Sequence, residues 1–90
     1  GIEFDSALES RCYSELLKCF NKTDIIHKRW YNQHYCSDFY IPKLDLWVEV
    51  SSFNTKEYLE KIYNKRQLVK NFVFFCNESQ VTGYFKEKKW

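Results

Sequence analysis

The residues best suited to chemistry in this chain are two acids, Asp38 and Glu49. They lie in the segments Ser37-Asp38-Phe39-Tyr40-Ile41-Pro42 and Leu44-Asp45-Leu46-Trp47-Val48-Glu49-Val50-Ser51. Both segments are rich in aromatic and β-branched residues and read as successive strands. Side chains alternate across a strand. Cys36, Asp38 and Tyr40 therefore share one face, and Asp45, Trp47, Glu49 and Ser51 share another. If the two strands are neighbours, the carboxylates converge across the ladder. A pair of carboxylates on rigid elements can hold a hard cation such as magnesium. Such a cation activates water and steadies the charge that develops on a phosphodiester. A blander use stays open: both acids could be solvated residues of a half-exposed sheet.

Hydrophobic periodicity supplies the elements that must position these acids. Asp5 or Ser6 caps a helix expected to run to about Asn21, with Leu8, Cys12, Leu16, Cys19 and Phe20 as its apolar stripe. Ile25 to Tyr31 reads as a strand, and Asn32-Gln33 as a turn. Tyr35 to Ile41 is a second strand, ended by Pro42, which cannot donate to a ladder. Leu44 to Ser51 is a third, with Leu44, Leu46, Val48 and Val50 turned away from Glu49. Asn54 or Thr55 caps a second helix, whose apolar side carries Tyr58, Leu59, Ile62 and Val69 and whose surface offers the pair Glu57 and Lys61. Phe72 to Cys76 is apolar on both faces, as a buried parallel strand should be. Val81 to Phe85 is expected as an edge strand, and Lys86 to Trp90 as a frayed end. The predicted order is α-β-β-β-α-β, an α/β fold (α+β with a mixed sheet).

Ninety residues make one domain with one core. Gly1 to Phe4 could be a cloning remnant and receives no functional weight. Aromatic residues form 20% of the chain, enough to fill a small core with few side chains. The net charge of +2 is too small to imply a polyanion partner by itself, but lysine and arginine gather in Lys56–Lys70 and Lys86–Lys89. A basic helix carrying Lys56, Lys61, Lys65 and Arg66 is a candidate nucleic-acid contact. The four cysteines have no CxxC spacing, and free thiols in a reducing compartment are the simplest account. No signal peptide or long apolar span is evident, so the expectation is a soluble, intracellular protein without a membrane partner.

The run from Ser37 to Pro42, followed by Leu46-Trp47-Val48-Glu49-Val50, resembles the core of the PD-(D/E)xK nuclease superfamily. The likeness is nearest its small phage and homing-endonuclease branch and the very-short-patch-repair-like nucleases. It extends through Tyr58-Leu59-Glu60-Lys61-Ile62 and Lys65-Arg66-Gln67-Leu68 to Phe72–Cys76. The resemblance implies a restriction-endonuclease-like core and metal-dependent cleavage of DNA. It makes Asp38 and Glu49 metal ligands for magnesium or manganese. It adds Glu9 as a third ligand, although Ser6-Ala7-Leu8-Glu9 is also a capping box, which explains the glutamate without a metal. A domain this small has little room for sequence readout, so a homodimer or an additional DNA-binding domain is expected.

Two positions depart from that pattern. Ser37 stands for the usual proline, which leaves the chemistry untouched. Ser51 stands for the usual lysine, which does not: a serine hydroxyl can donate a hydrogen bond but brings no charge. Three readings follow. A cation from the crossover helix, with Lys56 or Lys61 as candidates, takes over the catalytic role. Or the site works in a variant form with His27 or His34. Or the domain is a degenerate nuclease kept for nucleic-acid binding or protein assembly. The cluster Trp30, Tyr31 and Tyr35 could stack on bases, but a small core is the plainer use for it.

Overall fold

The alternation read from the two acid-bearing strands is realised as a four-stranded mixed sheet. A computed structural model describes residues 3, 4, 6–33, 35–52 and 55–86. Its strands are β1 (Ile26–Trp30), β2 (Cys36–Ile41), β3 (Leu46–Val50) and β4 (Phe72–Phe75), in the order β1-β2-β3-β4. The first two pairings are antiparallel and the last is parallel. Helix α1 (Ala7–Leu16) precedes the sheet, α2 (Lys56–Arg66) links β3 to β4, and α3 (Glu78–Lys86) follows. The predicted meander followed by a parallel strand is thus present, with one helix more than the sequence suggested.

Period-two patterning decides which residues meet. Phe39, Ile41, Leu46, Val48 and Val50 pack on one face against Cys12, Tyr13 and Leu16 of α1 and Val81 and Phe85 of α3. On the other face Tyr40 and Trp47 cluster with Tyr35 and Val69. Glu49 points to this second side, the side of α2. The β2–β3 connection is longer than the sequence implied, because β3 begins at Leu46 rather than Leu44. Pro42–Leu44 forms a 3-10 turn with proline in its first turn, and Asp45 follows with φ 48°. An aspartate tolerates that left-handed backbone better than most residues. Its Oδ1 accepts a 2.6 Å bond from the Tyr40 hydroxyl. Asp45 is therefore a turn residue, not a member of the Glu49 strand face.

The expected edge strand over Val81 to Phe85 is instead the body of α3. Two local signals explain it. Asn77 Oδ1 accepts from the Gln80 backbone amide at 3.0 Å, and Gln80 Oε1 accepts from the Cys76 amide at 2.7 Å. That is a reciprocal cap on the helix start. Val81 and Phe85, four apart, are both buried and lie on one helical face, with the Phe85 ring 5.3 Å from Phe20. The β-branched and aromatic composition suggested a strand; the cap and the i,i+4 pair decided the helix. α1 begins where Ser6 accepts from the Glu9 amide, but ends at Leu16 in a turn through Phe20, short of Asn21. Thr55 caps α2; the alternative caps Asp5 and Asn54 lie outside the described residues, as do 87–90 of the expected frayed end.

Phe4 also departs from expectation. Its ring lies 5.3 Å from Tyr13, 5.0 Å from His27 and 6.4 Å from Phe39. It is half-buried against the core. All four cysteines are free thiols, as the spacing implied. Burial pushes the Cys12 thiol up to about 11, so it behaves as a small apolar side chain. No helix among the described residues is long and apolar enough to cross a membrane.

Candidate active site

The site forms where the β2–β3 ladder stops. Partners run Ile41–Leu46, Tyr40–Trp47 and Phe39–Val48. The next pair in that register is Asp38 with Glu49, and here the ladder gives way to a side-chain contact. On β3, Trp47 and Ser51 direct their amides to Asn71 and Phe75 beside β4. The Val50 amide faces the β2 side, where Asp38 Oδ2 accepts it at 2.9 Å. A carboxylate thus takes the place of a strand carbonyl, fixing Asp38 beside Glu49. Continued by one residue, this register sets the two acids at facing positions, and the Glu49 charge acts on Asp38.

Glu49 is 6% exposed, so its charge requires partners. Tyr35 donates to Oε2 at 3.3 Å, and Lys65 Nζ donates to Oε1 at 3.2 Å. The same ammonium lies 5.2 Å from the centre of the Tyr35 ring. Lys65 comes from the last turn of α2, three residues after Ile62, the buried anchor of that helix. Residues three apart share a helix face, so burying Ile62 turns Lys65 toward the sheet. The sequence reading placed Lys65 and Arg66 in a nucleic-acid contact and looked to Lys56 and Lys61 for the missing charge. The structure brings Lys65 to Glu49, while Lys56 and Lys61 are exposed. Lys56 lines a shallow surface groove with Leu59, Glu60, Tyr63 and Asn64. Arg66 lines a hollow with Leu44, Phe72 and Tyr84. Spacing from the exposed Lys61 does not single Lys65 out; only the burial of Ile62 does.

Glu9 lies on α1, 3% exposed. Its Oε1 is 2.9 Å from His27 Nε2 and 3.6 Å from Lys28 Nζ. Consecutive strand residues normally point to opposite faces. Lys28 has φ 60°, a left-handed backbone inside β1, and this turns both side chains to one carboxylate. The next residue, Arg29, lays its guanidinium over the Tyr40 and Trp47 rings at 4.6 and 5.8 Å. A left-handed non-glycine residue stores on the order of 1 kcal/mol. Lys28→Gly should therefore be more stable than Lys28→Ala by about 1 kcal/mol in urea titrations, because the charge lost is the same and only the backbone penalty differs. Elsewhere in a strand the order is the reverse, and finding that ordinary order here would remove the strain argument. His34 lies outside the described residues.

Electrostatics tie these groups into one site. Burial pushes the Asp38 carboxyl up to about 7; Glu49 adds repulsion, Glu9 a smaller amount, and the Val50 amide and Lys28 oppose the rise. Burial also raises Glu49, against which Lys65, Tyr35 and Lys28 hold its charge. The Tyr35 hydroxyl is raised strongly by burial and by Glu49, so it remains a donor. Among the described residues, no three or more His, Cys, Asp or Glu gather into a metal-binding group. Magnesium does not require one, since one or two carboxylates with water and phosphate oxygens are its usual protein environment. Asp38 and Glu49 fit that demand: two oxygen donors, each raised first of all by burial. Comparison with protein-family models, curated proteins and solved structures finds no match for the chain.

Proposed function

We propose that the chain is a magnesium-dependent endonuclease domain of restriction-endonuclease-like, PD-(D/E)xK type that cleaves DNA phosphodiesters, with its active-site lysine supplied by α2. The observation that carries this reading is Lys65 Nζ on Glu49 Oε1 at 3.2 Å, beside an Asp38 pushed up to about 7. The charge that Ser51, just after β3, cannot supply comes in this reading from the crossover helix. In this reading Asp38 and Glu49 hold the cation, and Glu9, engaged with His27 and Lys28, contributes negative potential from behind. Magnesium, when bound, supplies Lewis-acid stabilisation of the phosphate and a more acidic water.

The chain's own groups divide the remaining work. The Val50 amide fixes one oxygen of Asp38, so the acid faces the phosphate without a conformational search. Tyr35 orients Glu49 through Oε2. Lys65 is a fixed cation that can donate to a phosphate oxygen as charge builds in the transition state.

Supercoiled plasmid with magnesium or manganese tests the proposal. The parent chain should nick it and Glu3→Ala should do the same. Glu49→Ala should be slower by about a hundredfold or more. A parent chain that leaves plasmid intact with both metals sinks this reading.

A further inference from the structure

The aromatic residues at the end of β1 are not the core residues their composition suggested. Tyr35 is buried, but Trp30 is 62% exposed and Tyr31 46%. Leaving a tryptophan this exposed on a small domain forgoes the burial that usually stabilises it. Both residues belong to the β1–β2 hairpin, closed by the Tyr31 amide donating to the Tyr35 carbonyl at 2.8 Å. The register pairs Trp30 with Cys36, two residues before Asp38. Two residues of strand span about 7 Å, so this hairpin end borders the acids.

The connection to the site is continuous. The Tyr31 ring stands edge-on to Trp47 at 5.5 Å, Trp47 lies 6.0 Å from Tyr35, and Tyr35 donates to Glu49. Cations flank the row. Arg29 is exposed and lies over Trp47, and Lys65 sits over Tyr35. Two exposed aromatic side chains, Trp30 and Tyr31, next to the exposed Arg29 match what a nucleic-acid strand offers: flat bases on a charged backbone.

We propose that Trp30 and Tyr31 form a stacking platform for unpaired nucleobases, which makes single-stranded DNA, or the unpaired arm of a branched one, the preferred substrate. This rests on the nuclease reading for what happens after binding, but not for the binding itself. Two observations favour a single strand over a duplex. An aromatic side chain stacks on a base whose face is free, and a duplex keeps its faces covered. The acids are also recessed, with Glu49 6% exposed. A flexible strand can bend a phosphate into such a recess more readily than a stiff duplex can.

Fluorescence anisotropy with a labelled oligothymidylate, and with a labelled hairpin duplex, tests this in EDTA, where cleavage does not enter. Trp30→Ala should weaken oligothymidylate binding about tenfold, and Tyr31→Ala by a comparable factor. Duplex binding should change by less than about twofold, and Trp30→Phe should restore most of the single-strand affinity. Circular dichroism of each variant establishes that the fold is intact, which the exposure of both side chains favours. Unchanged oligothymidylate affinity in Trp30→Ala, or equal loss on both probes, overturns the platform. Failure of the parent to nick plasmid leaves this result untouched, so the two ideas fail separately.

Discussion

Replacing Lys65 by methionine is expected to slow magnesium-dependent strand cleavage about a thousandfold while leaving the domain folded. Methionine keeps most of the apolar stem and removes the charge. Glu49 then retains the Tyr35 hydroxyl at Oε2 and loses its partner at Oε1. Removing one preorganised donor at the site of charge development typically costs a factor of about a hundred to a thousand. The upper end applies here because the neighbouring strand position holds Ser51, which cannot substitute for the charge. Lys65→Arg retains the charge on a longer planar fork and should fall between the two. Lys56→Met and Lys61→Met should alter cleavage by less than about tenfold, through weaker substrate attraction, since both cations are exposed. Single-turnover rates at saturating DNA separate these effects. Parent-like cleavage by Lys65→Met would remove this lysine from the chemistry.

The second large effect is on stability. In EDTA the domain should become less stable as pH rises from about 4 to about 7, and Asp38→Asn should abolish most of that fall. The Asp38 carboxyl is pushed up to about 7 from a usual 3.8, first by burial and then by Glu49. An unfolded chain releases this proton near pH 4, whereas the folded chain retains it until near 7. Between those values the folded state binds more protons, so its advantage is complete below the lower value and lost through the upper one. Glu49 is raised in the same direction and adds to the slope, while Lys65, Tyr35 and Lys28 limit its part. At pH 8 Asp38→Asn should be more stable than the parent by on the order of 2 kcal/mol, since a neutral amide can still accept from Val50. Magnesium should restore stability to the parent at that pH and do little for the variant. Urea titrations across the pH range read all of this. A flat parent profile between 4 and 7 would contradict it.

Much of the frame was legible because it depends on period-two alternation. Leu46, Val48 and Val50 on one face and Trp47 on the other followed directly, and with them the facing positions of Glu49 and Asp38. The α3 helix was not legible from composition, since Val81, Tyr84 and Phe85 favour strands; its signal lay in Asn77 and Gln80, which cap rather than pack. Lys65 was visible only as one member of a basic run, because the phase of α2 depends on burying Ile62 beneath it. The His27–Glu9 contact was hidden for a different reason. It requires the left-handed turn at Lys28, which local propensity argues against. Phe4 carries no periodic signal in the sequence, and its packing shows only through its contacts with Tyr13, His27 and Phe39.

The Val50 amide has a consequence beyond holding Asp38. Most sheet amides face a carbonyl whose charge never changes, so their magnetic environment reports little but geometry. This one faces an ionisable oxygen. Its proton resonance will shift when Asp38 gains or loses a proton, and again when that oxygen is drawn toward a ligand. The backbone thereby contains an internal indicator for this buried carboxyl, readable by isotope labelling with no dye, tag or substitution to disturb what is being read.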